Sequence, residues 1–175
     1  MGGAAVQLAA AWGAKVIALI KSERDHERLD QSKIAAIAHS DSSDIAGVVH
    51  EATGGRGCDL AINGIGGSLF QPMLDALADG GRMVVLSAIG GREVPLDLLT
   101  FYRRRLTLVG LNTVDTDIVQ GARIMDQLTP LFESGVIAPP KIAARYPLSQ
   151  AAEAYGRLAE GVGKVALFPN SRFPK

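Results

Sequence analysis

The chain has 175 residues, of which 47% are hydrophobic and 21% charged, the composition of an ordinary globular domain. Its 18 basic and 18 acidic side chains balance to a net charge of zero, which argues against nucleic acid as a partner. The single cysteine excludes an internal disulfide, and the three histidines follow no metal-ligand spacing, so we predict no metal site. Without an apolar run of membrane-spanning length or a recognisable signal peptide, we expect a cytoplasmic protein with no membrane partner.

The chain begins with a glycine pair that opens a helix. Gly2 and Gly3 lead into an Ala-rich helix predicted over residues 3–12, and Gly13 ends this helix. The almost continuous apolar segment 15–20 then predicts a strand that is buried on both faces of a parallel sheet. A glycine pair, a helix and a buried strand are the second half of a dinucleotide-binding βαβ unit. The first strand of that unit is missing from this sequence.

Strands and helices alternate through most of the remaining chain. The later segments predicted as strands are 34–38, 60–62, 82–86 and 106–111, and those predicted as helices are 23–31, 44–51, 70–78, 96–102 and 118–133. This alternation predicts an α/β fold with a Rossmann-like, doubly wound parallel sheet and right-handed crossovers.

A tail of different character follows this alternation, and Pro139-Pro140 lies near its start. The tail contains a predicted strand, a helix and a second strand, at 142–146, 149–160 and 165–168. We therefore predict two parts: residues 1–136 form a dinucleotide-binding domain that is truncated at its start, and residues 137–175 form the tail.

Ligands of doubly wound sheets bind outside the carboxyl ends of the strands. Small or polar residues stand at each of these ends in this sequence, and they are our candidate cofactor-binding residues: Gly2, Gly3, Lys21, Ser22, Arg24, Asn63, Gly64, Ser87, Ala88 and Ile89. Glycine lets the backbone approach a flat cofactor, and the start of a helix attracts a pyrophosphate. Three glycine-rich segments at one edge favour a dinucleotide site over turns that are merely structural.

The end of the second strand indicates which dinucleotide binds. An NAD site places an acidic side chain there, to bind the ribose 2′-hydroxyl. This sequence has Ile20 there instead, followed by Lys21, Ser22 and Arg24, which suit a 2′-phosphate. We therefore predict NADPH. The alternative is a solvated helix start whose charges face water, which two acidic residues in the same segment support. The missing acid also argues against a methyltransferase.

No general acid or base stands out in the sequence. Tyr102, Tyr146, Asp115 and Asp117 are available, and we expect each of them to have a structural or surface role. Hydride transfer does not strictly require such a group, because the nicotinamide carries the chemistry and the protein orients it. The catalytic residues therefore stay unassigned.

Several segments together resemble a known family in collinear order. These segments are AAVQLA at 4–9, GAKVIA at 13–18, TGGRGCD at 53–59, GGRMV at 80–84, RLTLVG at 105–110 and GKVAL at 163–167. They resemble the medium-chain dehydrogenase/reductase superfamily, and more narrowly its zinc-free quinone oxidoreductase (zeta-crystallin-like) branch. The similarity extends over essentially the whole chain.

The resemblance implies a two-domain NADPH-dependent reductase of quinones, enones and related activated carbonyls. It implies that Gly2-Gly3 holds the pyrophosphate and that Lys21, Ser22 and Arg24 face the 2′-phosphate. It adds three residues to the candidate cofactor site: Leu111, Asn112 and Lys164. It also implies a homodimer through the strand that begins at Leu106 and ends at Leu111.

The resemblance further implies an N-terminal GroES-like domain that meets the substrate, and this sequence does not contain it. We therefore expect the isolated chain to be weakly active or inactive.

Two features depart from the family pattern: Ser40 replaces a frequent tyrosine, and Asn63-Gly64 replaces an acidic or polar pair. The alternatives are an enoyl reductase module of a polyketide or fatty-acid synthase and a non-catalytic nucleotide-binding fragment. The substrate, the native start site and the source of the missing first strand stay open.

Overall fold

The computed structural model describes residues 1–27, 29–114, 116–161 and 163–169. The chain divides into two compact units, of which the first ends at Ile137 and the second begins at Ala138. No helix within the described ranges is both long enough and apolar enough to cross a bilayer.

The first unit alternates helices and strands from its first residues. Its elements are α1 (Gly2–Ala11), β1 (Ile17–Ile20), α2 (Glu23–Glu27), β2 (Ala36–His39), α3 (Ile45–Ala52), β3 (Cys58–Asn63), α4 (Phe70–Asp75), β4 (Leu77–Val85), α5 (Leu98–Arg103), β5 (Thr107–Gly110) and α6 (Ile118–Glu133). The second unit contains β6 (Ile142–Pro147), α7 (Ala151–Ala159) and β7 (Lys164–Phe168), and β6 pairs with β7 in parallel.

All strand pairs of the first unit are parallel, which confirms the predicted α/β, Rossmann-like fold. The strands form two ladders, β1–β2 and β3–β4–β5. Within the described residues, one edge of β1 and one edge of β3 pair with no strand. The strand order of this fold class places the strand that precedes α1 between these two edges. The two ladders therefore correspond to a doubly wound sheet in which no strand of the described residues lies between β1 and β3.

One layer of helices and apolar side chains connects the two ladders. Met73 of α4 packs against both hydrophobic clusters of the first unit, one containing Ala38 of β2 and the other containing Leu77 and Met83 of β4. Leu69, which follows the turn after β3, packs in the same cluster as Ala38 near the end of β2. The carboxyl ends of both ladders therefore lie at the same edge.

Three helices of the first unit begin at an aspartate that accepts a hydrogen bond from a first-turn backbone amide. Asp44 caps α3, Asp97 caps α5 and Asp117 caps α6. Such caps pair amides that have no acceptor inside the helix. Helix α1 has no side-chain cap and begins with two glycines, so the amides at its start remain open.

Two predicted elements differ from the structure. The helix predicted over 70–78 ends at Asp75, and β4 already begins at Leu77, which pairs with Cys58 and is completely buried. The helix predicted over 23–31 ends at Glu27, because Asp30 caps a separate 3-10 turn by accepting from the Ser32 amide. Apart from the start of β4, the other predicted elements begin and end within two residues of the observed bounds.

Candidate functional site

The open start of α1 lies at the beginning of the first unit. Gly2 and Gly3 are exposed, and a Cβ atom added to either would meet nothing within 4 Å. The carbonyl oxygen of Met1 accepts hydrogen bonds from Ala4 and Ala5, which closes the first turn of the helix. The amides of the two glycines come before this turn, where the helix dipole favours an anion. This geometry fits a pyrophosphate group.

At the end of β1, an acidic side chain shapes the turn that carries the candidate cations. One carboxylate oxygen of Asp25 accepts hydrogen bonds from the Lys21 amide at 3.3 Å, the Ser22 amide at 3.1 Å and the Ser22 hydroxyl at 3.1 Å. Lys21 and Arg24 are exposed beside it. A phosphate approaching this turn would therefore meet two cations and one carboxylate. The Ser-x-x-acid spacing from Ser22 to Asp25 is the signature of a capping box, so the sequence contains a signal for this contact.

Residues 63–67 after β3 form what we call the first glycine turn. Asn63 is buried, with 1% of its surface exposed, and its side-chain oxygen accepts from the amides of Ile65 at 3.0 Å and Gly66 at 2.8 Å. Gly64, in contrast, has open space around it: an added Cβ would meet only a Leu86 methyl group, at 3.7 Å. The Asn63 side chain thus binds its own turn, and Gly64 leaves room beside it.

Residues 87–91 after β4 form the second glycine turn, which is hydrogen-bonded to the first. The Gly90 amide donates to the Ile65 carbonyl at 2.7 Å, and the Gly67 amide donates to the Gly91 carbonyl at 3.2 Å. In the second turn, Ser87 is half-buried and Ala88 is exposed, as is Ile89 with 87% of its surface. The structure therefore brings together the candidates predicted at the ends of β3 and β4.

The remaining candidates lie in two places. The Leu111 amide donates to the Val85 carbonyl at 2.9 Å, which places Leu111 beside the end of β4, and half of its surface is exposed. The side-chain oxygen of Asn112 accepts from the Val114 amide at 3.2 Å. Lys164 begins β7 in the second unit and is exposed.

Of the four side chains that could act as a general acid or base, the structure describes three, and they differ in exposure and in hydrogen bonding. Tyr102 has 62% of its surface exposed, and Tyr146 is half-buried in β6. Asp117 caps α6 by accepting from the Gln120 amide at 2.8 Å. Asp115 lies outside the described residues. These surroundings assign no proton-transfer role to any of the described candidates.

A polar surface cleft lies at the opposite, amino-terminal end of β4. Its volume is about 500 Å³, and its charged side chains have partners in the protein. Arg104 lies 3.5 Å from Asp79 and donates to the Leu77 carbonyl, while Arg56 forms a two-point ion pair with Asp59. Because these contacts hold the chain itself together, the cleft adds nothing to the candidate cofactor site.

A parallel α/β sheet with glycine-rich turns at the carboxyl ends of its strands is the architecture of a dinucleotide-binding domain. The sequence matches the family described as "Zinc-binding dehydrogenase" over residues 1–127. The chain therefore belongs to this family and, with it, to the medium-chain dehydrogenase/reductase superfamily, as a cofactor-binding domain of the oxidoreductase type.

The family's description refers to zinc. In the part of the chain that the structure describes, no group of three or more His, Cys, Asp or Glu side chains could hold a metal ion. The described residues therefore do not fit a zinc site.

The chain is similar to several kinds of curated and solved proteins. A mycocerosic acid synthase-like polyketide synthase of Mycobacterium tuberculosis is 31% identical over 95% of this chain. A putative alcohol dehydrogenase from Sinorhizobium meliloti is 30% identical over 97% of the chain, with a TM-score of 0.76. A mycobacterial quinone oxidoreductase has a TM-score of 0.83 at 23% identity over 94% of the chain.

Two further solved structures have the same fold as the chain. A mycobacterial protein complexed with NADPH has a TM-score of 0.77 at 23% identity over 94% of the chain. The JamJ enoyl reductase has a TM-score of 0.72 at 24% identity, again over 94% of the chain. The chain spans only 8% of the polyketide synthase and between 45% and 53% of these four solved chains. The dehydrogenase family to which the chain belongs indicates a nicotinamide cofactor.

Proposed function

We propose that residues 1–136 form the NADPH-binding domain of a reductase whose substrate is a quinone or an activated alkene or carbonyl compound. The observation that carries this proposal is the contact between the two glycine turns at the ends of β3 and β4. The two turns bring glycine backbone together at the carboxyl edge of the sheet, where this fold class also has the start of α1. When bound there, NADPH would supply a hydride, and the chain would hold and orient it.

Lys21 and Arg24 support NADPH over NADH. Both are exposed at the end of β1, where a 2′-phosphate binds in this fold. The Asp25 carboxylate opposes them electrostatically, but it already accepts three hydrogen bonds from the protein. We infer that the two cations outweigh it, so that Lys21, Ser22 and Arg24 bind the phosphate. The remaining cofactor contacts of the first unit would come from Leu111 and Asn112.

A second candidate function is an enoyl reductase module of a polyketide or fatty-acid synthase. Its support is the similarity to a polyketide synthase of which the chain would be a small part, together with the similarity to the JamJ enoyl reductase. Both functions deliver a hydride to an electron-poor carbon, so the cofactor site serves either. Assays of the full polypeptide that contains this chain would separate them: turnover of an enoyl thioester favours the module, and turnover of a quinone favours the free reductase. Cofactor binding without either turnover would favour a non-catalytic fragment.

We propose that residues 137–175 are a tail that packs on a catalytic domain, and that the protein acts in the cytoplasm. The edge strand β5 would pair with its counterpart in a second copy, which would remove an unpaired strand edge. Val109, with 36% of its surface exposed, lies on this strand. A charged Val109→Lys variant should reduce a dimer to a monomer in light scattering, and unchanged mass would overturn this interface.

Titration with NADPH and NADH, followed by nicotinamide fluorescence, tests the cofactor proposal. We expect NADPH to bind at least tenfold more tightly than NADH and Arg24→Ala to remove most of that preference. Arg123→Ala is the matched control, because it removes another exposed arginine, on α6. No binding of either nucleotide below the millimolar range would overturn the proposal, and tighter NADH would overturn the role of the cations.

A further inference from the structure

Asn63 is the only polar residue among the fully buried side chains of the described structure. Its oxygen accepts from two backbone amides, those of Ile65 and Gly66, and its nitrogen lies 3.9 Å from the Met83 sulfur. The side-chain amide therefore has its partners inside the protein. A ligand at the edge of the sheet would contact the turn that Asn63 holds and would not contact the Asn63 side chain.

The turn that Asn63 holds cannot move independently of the second glycine turn. A Cβ on Gly67 would lie 2.0 Å from the Gly90 carbonyl oxygen, and a Cβ on Gly66 would lie 3.0 Å from that of Gly91. Gly66 and Gly67 also have positive φ angles, of 74° and 55°. The two backbones are thus in direct contact, and a shift of the first turn displaces the second.

Each half of a dinucleotide fold binds one mononucleotide of the cofactor. The start of α1 and the end of β1 belong to the adenosine half, and both glycine turns belong to the half formed by β3, β4 and β5. We propose that Asn63 is a positioning residue for the nicotinamide half of the site: it fixes the first glycine turn and, through it, the second. This inference rests on the proposed function.

The test compares two ligands that share the adenosine half. NADPH reaches both halves, whereas adenosine 2′,5′-bisphosphate reaches only the α1 and β1 half. Asn63→Ala removes the acceptor of two amides and leaves the Ile65 and Gly66 amides without it. We expect the Kd of NADPH to rise about tenfold and that of the bisphosphate to change less than twofold. Asn63→Asp, which keeps an oxygen acceptor, should restore most of the NADPH affinity.

Met83→Leu is the matched control, because it removes the sulfur beside the Asn63 nitrogen and keeps an apolar side chain of similar volume. Its NADPH affinity should stay within about twofold of the wild type. If Asn63→Ala yields no folded protein, Asn63→Ser replaces it, since a serine hydroxyl accepts from nearby turn amides more weakly than the asparagine oxygen does. Hydrogen exchange at the Ile65 and Gly66 amides should accelerate in the same variants.

Several outcomes would overturn the inference. Equal weakening of both ligands would assign Asn63 to general packing, as would an Asp variant as weak as the Ala variant. Unchanged NADPH affinity in a folded Ala variant would remove the positioning role while leaving the proposed function intact. A wild-type chain that binds neither ligand overturns the proposed function and, with it, any role of Asn63 in binding. The exchange rates would then still report whether Asn63 holds the turn.

Discussion

The Gly90 amide donates a hydrogen bond to the Ile65 carbonyl over 2.7 Å, which joins the loop after β4 to the loop after β3. The two loops are 25 residues apart in the chain and come from neighbouring parallel strands in register, where Asn63 pairs with Val85. Here they form one surface with almost no side chains in the contact.

This contact predicts that Gly67→Ala is strongly destabilising. The added methyl group would overlap the Gly90 carbonyl, and φ at residue 67 is positive. The left-handed conformation alone costs about 1–2 kcal/mol, and the overlap raises the total to about 3 kcal/mol. Urea unfolding of the purified variant measures this loss.

Gly64→Ala provides the comparison within the same turn. Its Cβ would meet only the Leu86 side chain, at 3.7 Å, and its φ lies outside the positive range. We expect a change of at most about 0.5 kcal/mol in the free energy of unfolding. If both variants unfold at the same urea concentration, the close approach of the two turns is wrong.

The Asp25 carboxylate leads to a prediction about cofactor preference. Asp25→Asn keeps an oxygen that can accept from the Lys21 and Ser22 amides but removes a negative charge beside Lys21 and Arg24. We expect NADPH to bind about threefold to tenfold more tightly, because its 2′-phosphate loses a repelling partner, while NADH changes little. Parallel fluorescence titrations at low salt measure both affinities. An equal gain for both nucleotides would show that the carboxylate does not face the 2′ position.

The Asp97 cap predicts a pH dependence of stability. Hydrogen bonds from the Thr100 hydroxyl at 2.6 Å and the Leu99 amide at 2.9 Å lower the pKa of Asp97 below its ordinary value. A lowered pKa means that the stabilisation is complete above the unfolded-state pKa and is lost as the pH falls through the folded-state pKa. The difference in urea midpoint between the wild type and Asp97→Asn should therefore shrink on going from pH 6 to pH 3. A difference that stays constant over this range would mean that the carboxylate is not the capping group.

The α4–β4 boundary shows where local sequence preference fails. Residues 70–78 are rich in helix formers, and the sequence alone predicts one continuous helix. The structure instead ends α4 at Asp75 and uses Leu77 and Ala78, both buried, to begin β4. Pairing between Leu77 and Cys58 joins residues from distant parts of the chain, and local preference carries no information about it. Strands β1, β2, β5 and β7 each contain a short apolar run, so their positions could be predicted.

Asn63 shows the corresponding limit for the candidate site. Its place at the end of a strand predicted the correct edge of the sheet, but nothing in its neighbours showed whether its side chain faces outward or inward. An Asn-Gly pair at a turn does suggest that the side chain binds nearby amides. The turn could therefore be predicted from sequence, whereas its contact with Gly90 and Gly91 depends on the register of β3 and β4. That register becomes visible only in three dimensions.

Cys58 supplies a last prediction, about the start of β3. The thiol packs against the cluster that contains Leu77 and Met83, and burial raises its pKa above the ordinary value. Because the thiolate is the reactive form, a raised pKa and restricted access should slow the reaction with Ellman's reagent at pH 8. We expect a rate at least about tenfold below that of free cysteine, and a return to the free rate in 6 M guanidinium chloride as the denatured control. A native rate equal to the denatured one would show that β3 opens readily along its unpaired edge and that the Cys58–Leu77 pairing does not hold the strand in solution.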